Sequence, residues 1–270
     1  MENPLPHTRC AFTTRRSVFL RPIVTPCRKV STVVNETLNR RERLRAETAR
    51  EIRTIALKLM GEGGPDAITL RAIAREMGMT AGAIYGYYAT RDDLITTLIG
   101  EVYTGLVDAV EAARDARPAD DAAGRLLAWA EALRTWALAN PQGFRLVYGD
   151  AVPGYRPPEG GPAATARGRA CAGLVGLIAD AWPHARPARR QASYGWPDFG
   201  EELGARIRAE HPGLPPAAVA VALRAWGRMH GLLALELYGH LSPIATDPGA
   251  LYRDEMLDLV GSLGLEPPVA

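Results

Sequence analysis

The side chains best suited to contact a polyanion lie between Thr69 and Arg91. In that stretch Thr80 opens a run of small residues, and Tyr85, Tyr87 and Arg91 follow it. Hydroxyl and backbone N–H groups near a helix N-terminus suit phosphate oxygens, and small side chains let a backbone approach a groove closely. These residue types therefore predict a surface that contacts the groove and the sugar-phosphate backbone of DNA.

Two short helices joined by a turn must position these side chains. Thr69 is predicted to cap the first helix and Gly78 to end it, because glycine enters the left-handed region without steric cost. Thr80 follows as the cap of the second helix. The first helix has one apolar face, formed by Leu70, Ile73, Ala74 and Met77. The segment is therefore predicted to be a helix-turn-helix.

The geometry alone is unspecific, since helix pairs with a glycine turn occur in many proteins. The order of residues is more specific, and it contains Ile73-Ala74, Gly78-Met79-Thr80, Ile84-Tyr85, Tyr87-Tyr88 and Arg91-Asp92-Asp93-Leu94. This order resembles the TetR family of bacterial transcriptional regulators. Tyr88, Arg91 and Asp92 stand where the family pattern has Phe, Lys and Glu, and these exchanges keep the ring and both charges.

The resemblance implies two groups of DNA contacts. The residues expected to approach bases or sugars are Thr80, Ala81, Gly82 and Ala83. The residues expected to position the protein on the backbone are Thr69, Tyr85, Tyr87 and Arg91. Core packing is the alternative role of the tyrosines, at Tyr85 and above all at Tyr88. Because one short helix reads few base pairs, we expect a homodimer on double-stranded DNA with a palindromic operator.

Positive charge is concentrated at the N-terminal end of the chain. Residues 1–45 contain ten Arg or Lys and three Glu, a balance of +7, so that residues 46–270 contribute −5 to the total of +2. Next to the predicted DNA reader, Arg43 and Arg45 are candidate contacts to phosphates or to a minor groove, together with Arg40 and Arg41. The alternative is a solvated tail that contributes little to binding.

The first thirty-five residues only partly resemble a targeting segment. Residues 14–19, Thr-Arg-Arg-Ser-Val-Phe, are similar to a twin-arginine export signal. Such a signal also needs a continuous apolar run, and prolines and charges interrupt every run after Leu20. We therefore expect an unstructured extension, with initiation of the native protein near Val33 or Val34. Mass spectrometry of the native N-terminus would test this expectation.

The chain is predicted to be all-α, because apolar stripes of helical spacing recur between Pro and Gly clusters and almost no segment alternates with period two. A helix from about Arg43 to Met60 precedes the helix-turn-helix, and Thr90 with Asp93 forms the capping signature of the helix after it. We expect a basic disordered extension over 1–40, a DNA-binding domain over 41–90 with its motif at about 69–88, a connector helix over 91–117, a ligand-binding and dimerisation domain over 118–263, and a tail over 264–270.

Further helices are predicted in the C-terminal part. The longest is expected from Pro215 to Leu241, and the last is expected to begin at Asp247 and Pro248. Residues 184–199 are rich in Pro, Arg and aromatic side chains with weak periodicity, which indicates a loop or lid. This arrangement gives a helical core large enough to enclose a small molecule.

Trp226, His230 and Gly231 in the long helix resemble a TetR C-terminal type named for Trp, His and Gly, and residues 140–149 fit the same type. The candidate residues of an apolar pocket are Trp129, Trp136, Phe144, Tyr148, Trp182, Trp196, Trp226 and His230. Ordinary core packing is the alternative for each of them. For His230 that alternative is a hydrogen-bonded core histidine.

The same resemblance implies that the last two helices form the dimer interface. The apolar candidates for a four-helix contact between subunits are Leu232, Leu235, Leu251, Met256 and Leu259. We expect an apolar or aromatic effector to tilt the connector helix and change the separation of the two reading heads. A ligand that favours the mismatched separation would release the operator, as a repressor requires.

Other classes of protein are disfavoured by what the sequence lacks. No run of eighteen apolar residues occurs, so we expect no membrane-spanning helix and a cytoplasmic location. Cys10, Cys27 and Cys171 lack metal-ligand spacing, so no metal or cofactor is expected, and Cys171 is either a small core hydrophobe or a redox sensor. The sequence contains no nucleophile elbow or phosphate loop, which disfavours an enzyme. A ligand-independent DNA-binding regulator or an activator is the remaining alternative.

Overall fold

The computed structural model describes residues 40–149, 152–158, 160–184 and 194–266. Within these ranges the chain forms ten α-helices and no β-strand, which confirms the all-α prediction. In chain order the helices are α1 (Arg40–Gly63), α2 (Leu70–Glu76), α3 (Ala81–Tyr85), α4 (Arg91–Asp115), α5 (Ala122–Ala139), α6 (Pro141–Tyr148), α7 (Pro162–Ala181), α8 (Glu201–Glu210), α9 (Pro216–Leu237) and α10 (Pro248–Ser262). None of the helices described is long and apolar enough to cross a bilayer.

Three predicted segments lie wholly or partly outside the described residues. They are the N-terminal extension up to residue 39, residues 185–193 of the expected lid and residues 267–270 of the expected tail. The end of that expected lid is described, and it contains a 3-10 turn at Trp196–Asp198. The Arg208 guanidinium of α8 lies over the Trp196 ring, 4.9 Å from its centroid. This part of the segment is therefore packed against its neighbouring helix.

The turn between α2 and α3 has the predicted caps. The Thr69 hydroxyl accepts a hydrogen bond from the Ala72 N–H at 3.1 Å, and the Thr80 hydroxyl accepts one from the Ala83 N–H at 3.2 Å. Gly78 lies between them with a φ of 63°, in the left-handed region that glycine tolerates. Local capping therefore determines where both short helices begin.

A first hydrophobic core holds α1, α2, α3 and the start of α4 together. Among its fully buried side chains are Ile52, Ile68, Ile73, Ile84, Leu94 and Ile95. Tyr88 is 7% exposed, and its hydroxyl accepts a hydrogen bond from Arg53 Nη1 at 3.0 Å. Leu146 of α6 and Val152 after it also belong to this core. The N-terminal helices are thus packed against the segment that follows α6.

Helix α4 extends through both halves of the molecule. A reciprocal capping box fixes its start, since the Asp93 N–H donates to the Thr90 hydroxyl and the Thr90 N–H donates to the Asp93 carboxylate, both at 3.0 Å. Leu94 near its start lies in the first core, and Val110 near its end lies in a second core. A movement of this one helix therefore affects both cores.

The second core lies among α4, α5, α7, α9 and α10. The Tyr252 hydroxyl of α10 is buried there and donates to the Ala130 carbonyl of α5 at 3.0 Å. Arg134 of α5 donates to both carboxylate oxygens of Glu236 of α9, at 2.9 and 2.6 Å. These polar contacts hold the two C-terminal helices against α5.

The Tyr252→Phe substitution is expected to lower the free energy of unfolding by about 1 kcal/mol, because it removes a buried hydrogen bond and keeps the ring. Urea unfolding followed by circular dichroism measures this change. Tyr85→Phe is the matched control, since Tyr85 is half exposed and its loss of a hydroxyl should leave stability unchanged. Equal stability of wild type and Tyr252→Phe would show that the buried contact contributes nothing.

The predicted end of α9 is wrong. The helix stops at Leu237 rather than Leu241, although its 22 residues make it the longest of the helices described after α4, as predicted. Gly239 has a φ of 79°, and the His240 N–H donates back to the Leu235 carbonyl at 2.9 Å. A left-handed glycine therefore ends the helix, although Leu241 continues its apolar pattern.

Candidate DNA-binding surface and ligand cavity

The outer face of α3 carries the predicted reading residues. Thr80 and Gly82 are exposed, while Ala81 and Ala83 are half-buried. A methyl group added at Gly82 would meet no atom within 4 Å, so the backbone there is open to a partner. Tyr85 on the same short helix is 49% exposed and is therefore not a core residue of this chain. The face combines small residues with one projecting aromatic hydroxyl.

Arg45 of α1 is held against the end of α3. Its guanidinium carbon lies 4.7 Å from the centroid of the Tyr87 ring, and Nη2 donates to the Gly86 carbonyl at 2.6 Å. Arg43 is exposed on the same helix, and Thr69 is exposed at the start of α2. The candidate backbone contacts of α1 and α2 therefore lie on exposed positions, and Arg45 is joined directly to the reading helix.

Arg91 has a different environment from the one expected of a phosphate contact. Its Nε donates to the Ile68 carbonyl at 2.7 Å, its Nη2 to the Pro65 carbonyl at 3.1 Å, and its Nη1 to the Pro153 carbonyl at 3.1 Å. An arginine has five N–H groups, so three are already used within the chain. We call this arrangement the Arg91 clasp. It joins the turn before α2, the start of α4 and the segment after α6.

A cavity of about 520 Å³ lies in the C-terminal half, lined by residues of α4, α5, α6, α7 and α9. Its lining is mostly apolar, and of the eight predicted pocket residues it includes Trp129, Tyr148, Trp226 and His230. The described residues contain no cluster of three or more His, Cys, Asp or Glu that could hold a metal ion. The cavity is therefore suited to an organic molecule with a large apolar part.

Aromatic rings form one wall of this cavity. The centroid of His230 lies 4.7 Å from that of Tyr148, 5.1 Å from that of Phe144 and 5.3 Å from that of Trp226. Burial lowers the pKa of His230, so the imidazole is neutral at neutral pH. Its Nδ1 is buried and has no hydrogen-bond partner among the described residues. The alternative of a hydrogen-bonded core histidine is therefore not supported at this nitrogen.

The other predicted pocket residues lie elsewhere. Phe144 is fully buried behind His230, and Trp182 and Trp196 pack against the second core without lining the cavity. Trp136 lines a separate hollow of about 370 Å³, where α5 and α6 meet α1 and α4. Trp136 lies seven residues after Trp129, which gives it the same face of α5 but a level two turns further along. Helical spacing therefore predicted that the two tryptophans share a face of α5, but not that Trp136 lies too far along the helix to line the cavity.

Two polar lining residues were missed in the sequence, namely Tyr103 of α4 and Arg167 of α7. The signal that would have found Arg167 is its spacing, because Arg167, Ala170 and Leu174 share one face of α7. Cys171 also lines the cavity, and burial raises the pKa of its thiol. The thiol form of Cys171 is therefore favoured, as expected of a small core hydrophobe.

The predicted dimer residues divide into outward and inward positions. Leu235 of α9 and Leu251 of α10 are each 42% exposed, and Leu232 is half-buried. Met256 and Leu259 are each 3% exposed and face the core of their own protomer, which removes them from an exposed interface. Further exposed apolar side chains are Leu223 of α9, which also lines the cavity, Tyr238 directly after α9, and Leu257 of α10.

These features define a class of protein, a helix-turn-helix DNA reader joined by one long helix to a hollow helical core. Two family models match the chain, "Bacterial regulatory proteins, tetR family" over residues 52–98 and "Tetracyclin repressor-like, C-terminal domain" over residues 126–259. The HTH-type transcriptional regulators Rv1816 of Mycobacterium tuberculosis and Mb1846 of Mycobacterium bovis are each 31% identical over 231 residues, which cover 84% of this chain and 96% of theirs. The chain belongs to the TetR family.

Solved structures agree with this assignment. The regulatory protein SCO4313 is 33% identical, with a TM-score of 0.64 over 82% of this chain and 98% of its own. A tetR-family regulatory protein from Rhodococcus RHA1 is 21% identical, with a TM-score of 0.57 over the same shares, and supports the fold alone. The protein is therefore a DNA-binding transcriptional regulator and not an enzyme. The Trp-His-Gly subtype stays a prediction.

Proposed function

We propose that this regulator is a homodimeric repressor, which a small molecule in the 520 Å³ cavity releases from a palindromic operator. The observation that carries the proposal is the position of α6. Tyr148 at the end of α6 lines the cavity, while Leu146 on the same helix belongs to the core of the DNA-reading half. A ligand that displaces α6 would therefore act on both halves.

The segment after α6 extends this connection to the base of the reading head. Val152 packs in the first core, and the Pro153 carbonyl accepts from Arg91 in the Arg91 clasp. The Tyr155 and Thr96 hydroxyls are hydrogen-bonded at 3.0 Å, which attaches the same segment to α4. We infer that ligand binding shifts this segment and, through the clasp, the orientation of α4 and the helix-turn-helix.

Dimerisation is part of the proposal because one five-residue helix cannot read enough base pairs for useful specificity. The exposed apolar side chains of α9 and α10 support a contact between two copies. A repressor of this kind would act in the cytoplasm, where the chromosome lies. A ligand-independent regulator or an activator is the alternative, and the presence of a mostly apolar cavity favours the ligand-controlled form.

The Ala222→Phe substitution is expected to abolish the ligand response and to preserve operator binding. Ala222 is buried and lines the cavity, so an added ring occupies the ligand's space. The first readout is the fluorescence of N-phenylnaphthylamine, a neutral apolar dye, which should bind wild type at least about tenfold more tightly. The second readout is release of a selected operator by compounds that displace the dye.

The control is Leu138→Trp, which adds a ring on an exposed position of α5 that does not line the cavity. This variant should bind the dye and release the operator as wild type does. Ala170→Phe fills the cavity from α7 and replaces Ala222→Phe if the latter lowers the melting temperature. Operator release that is unchanged in a folded, cavity-filled variant would contradict the proposal.

A further inference from the structure

The edge of the cavity carries a positive charge that has no counter-ion among the described residues. Arg167 is exposed there, and it is the one charged side chain among the described residues that line the cavity. It makes no hydrogen bond or ion pair with any described residue. Arg169, two positions later, instead donates to the Asp108 carboxylate at 2.9 Å and also to Glu111. One arginine of α7 is thus structural, and the other is available to a ligand.

Two hydroxyls accompany this guanidinium. Tyr103 and Tyr148 both line the cavity, and neither hydroxyl has a hydrogen-bond partner among the described residues. Burial raises the pKa of both tyrosines, so each keeps its proton and can donate. The charge of Arg167 partly offsets this effect at Tyr103, as a neighbouring cation does. Arg167 and Tyr103 therefore interact electrostatically, and both line the cavity.

We propose that the effector is an amphipathic organic acid, with its carboxylate held by Arg167 and the Tyr103 hydroxyl and its apolar body inside the cavity. The inference rests on the proposed function, because it concerns the same cavity. Arginine pairs a carboxylate with charge-assisted hydrogen bonds, and a tyrosine hydroxyl adds a neutral one. The aromatic wall of Tyr148, Trp226 and His230 would pack against the apolar body.

The composition of the lining disfavours other effectors. The described lining contains no Asp or Glu, so an ammonium group would lose its hydration without gaining a counter-charge. One guanidinium also matches a singly charged head better than a nucleotide or a sugar phosphate, which need several cationic or amide donors. A purely apolar molecule would leave Arg167 and both hydroxyls unused. The acid is the class that uses both the Arg167 charge and the Tyr103 hydroxyl.

Displacement of N-phenylnaphthylamine by three matched compounds tests the proposal. The compounds are phenylhexanoate, phenylhexanol and phenylhexylamine, which share one apolar body and differ in the head group. For wild type at neutral pH, the acid should displace the dye at the lowest concentration and the amine at the highest. Arg167→Gln should weaken the acid about tenfold and leave the alcohol unchanged, since it removes only a charge-assisted contact.

Arg169→Gln is the control for the loss of one positive charge, because it lies on the same helix but does not line the cavity. It should alter displacement by none of the compounds, and Arg167→Lys should partly restore the preference for the acid. Equal displacement by acid and alcohol in wild type, or an unchanged preference in Arg167→Gln, would overturn the acid and leave the cavity as a ligand site. Failure of the dye and all three compounds to bind would overturn both proposals.

Discussion

The Gly82→Glu substitution is expected to weaken DNA binding by at least about a hundredfold and to leave the fold intact. A Cβ added at this position meets no atom within 4 Å, and Gly82 is exposed, so a larger side chain has room without repacking of the protein. On the DNA complex, however, the carboxylate would lie in the groove between two rows of phosphates. Like charges placed together at an interface cost several kcal/mol, and about 2.7 kcal/mol corresponds to a hundredfold loss of affinity.

The measurement is fluorescence anisotropy with a labelled operator, together with the melting temperature of each variant. Gly200→Glu is the matched control, since a Cβ added there also meets no atom within 4 Å and the residue precedes α8, far along the chain from α3. It should bind DNA as wild type does. If Gly82→Glu kept its affinity while folded, α3 would not be the reading helix.

The Arg91→Ala substitution is expected to lower the free energy of unfolding by about 3 kcal/mol. The change removes three hydrogen bonds that a charged group donates. The carbonyls of Ile68, Pro65 and Pro153 then lose this donor. Hydrogen bonds to charged groups contribute about 1.5–3 kcal/mol each, and water replaces part of this at a half-buried site. Urea unfolding measures the loss, and Arg71→Ala at an exposed position of α2 is the control that should change stability little.

The same variant distinguishes the clasp from the phosphate contact that the family resemblance implies. If Arg91 served only the DNA backbone, its removal would leave stability unchanged and reduce the salt dependence of operator binding by about one phosphate. In the clasp, its removal lowers stability and weakens the connection between the cavity and the reading head. Effectors would then release the operator less completely from the folded variant than from wild type.

Local features of the sequence predicted the helix-turn-helix well because they act within a few residues. Thr69 and Thr80 cap the helices that follow them, Gly78 takes the left-handed conformation, and Thr90 forms the capping box with Asp93. The caps depend on hydrogen bonds between residues three apart, and the turn depends on the conformation of one glycine. Such contacts form wherever the chain is helical, whatever surrounds it.

The candidate sites depended on contacts between distant parts of the chain, and these were harder to predict. Arg91 has the charge of a phosphate contact, but its partners lie 23, 26 and 62 residues away. Met256 and Leu259 are apolar, as many interface residues are, but the orientation of α10 places them in the core of their own protomer. A single sequence shows which residues share a face of a helix. It does not show which neighbour that face will meet.

Selection of bound sequences from random double-stranded DNA by the purified full chain tests the central claim most directly. The claim is that two copies of α3 read DNA together. We expect enrichment of a palindrome whose half-sites are about one helical turn, roughly 34–36 Å, apart, and loss of that enrichment with Gly82→Glu. A single unrepeated half-site, or equal enrichment by wild type and Gly82→Glu, would contradict the dimeric reader.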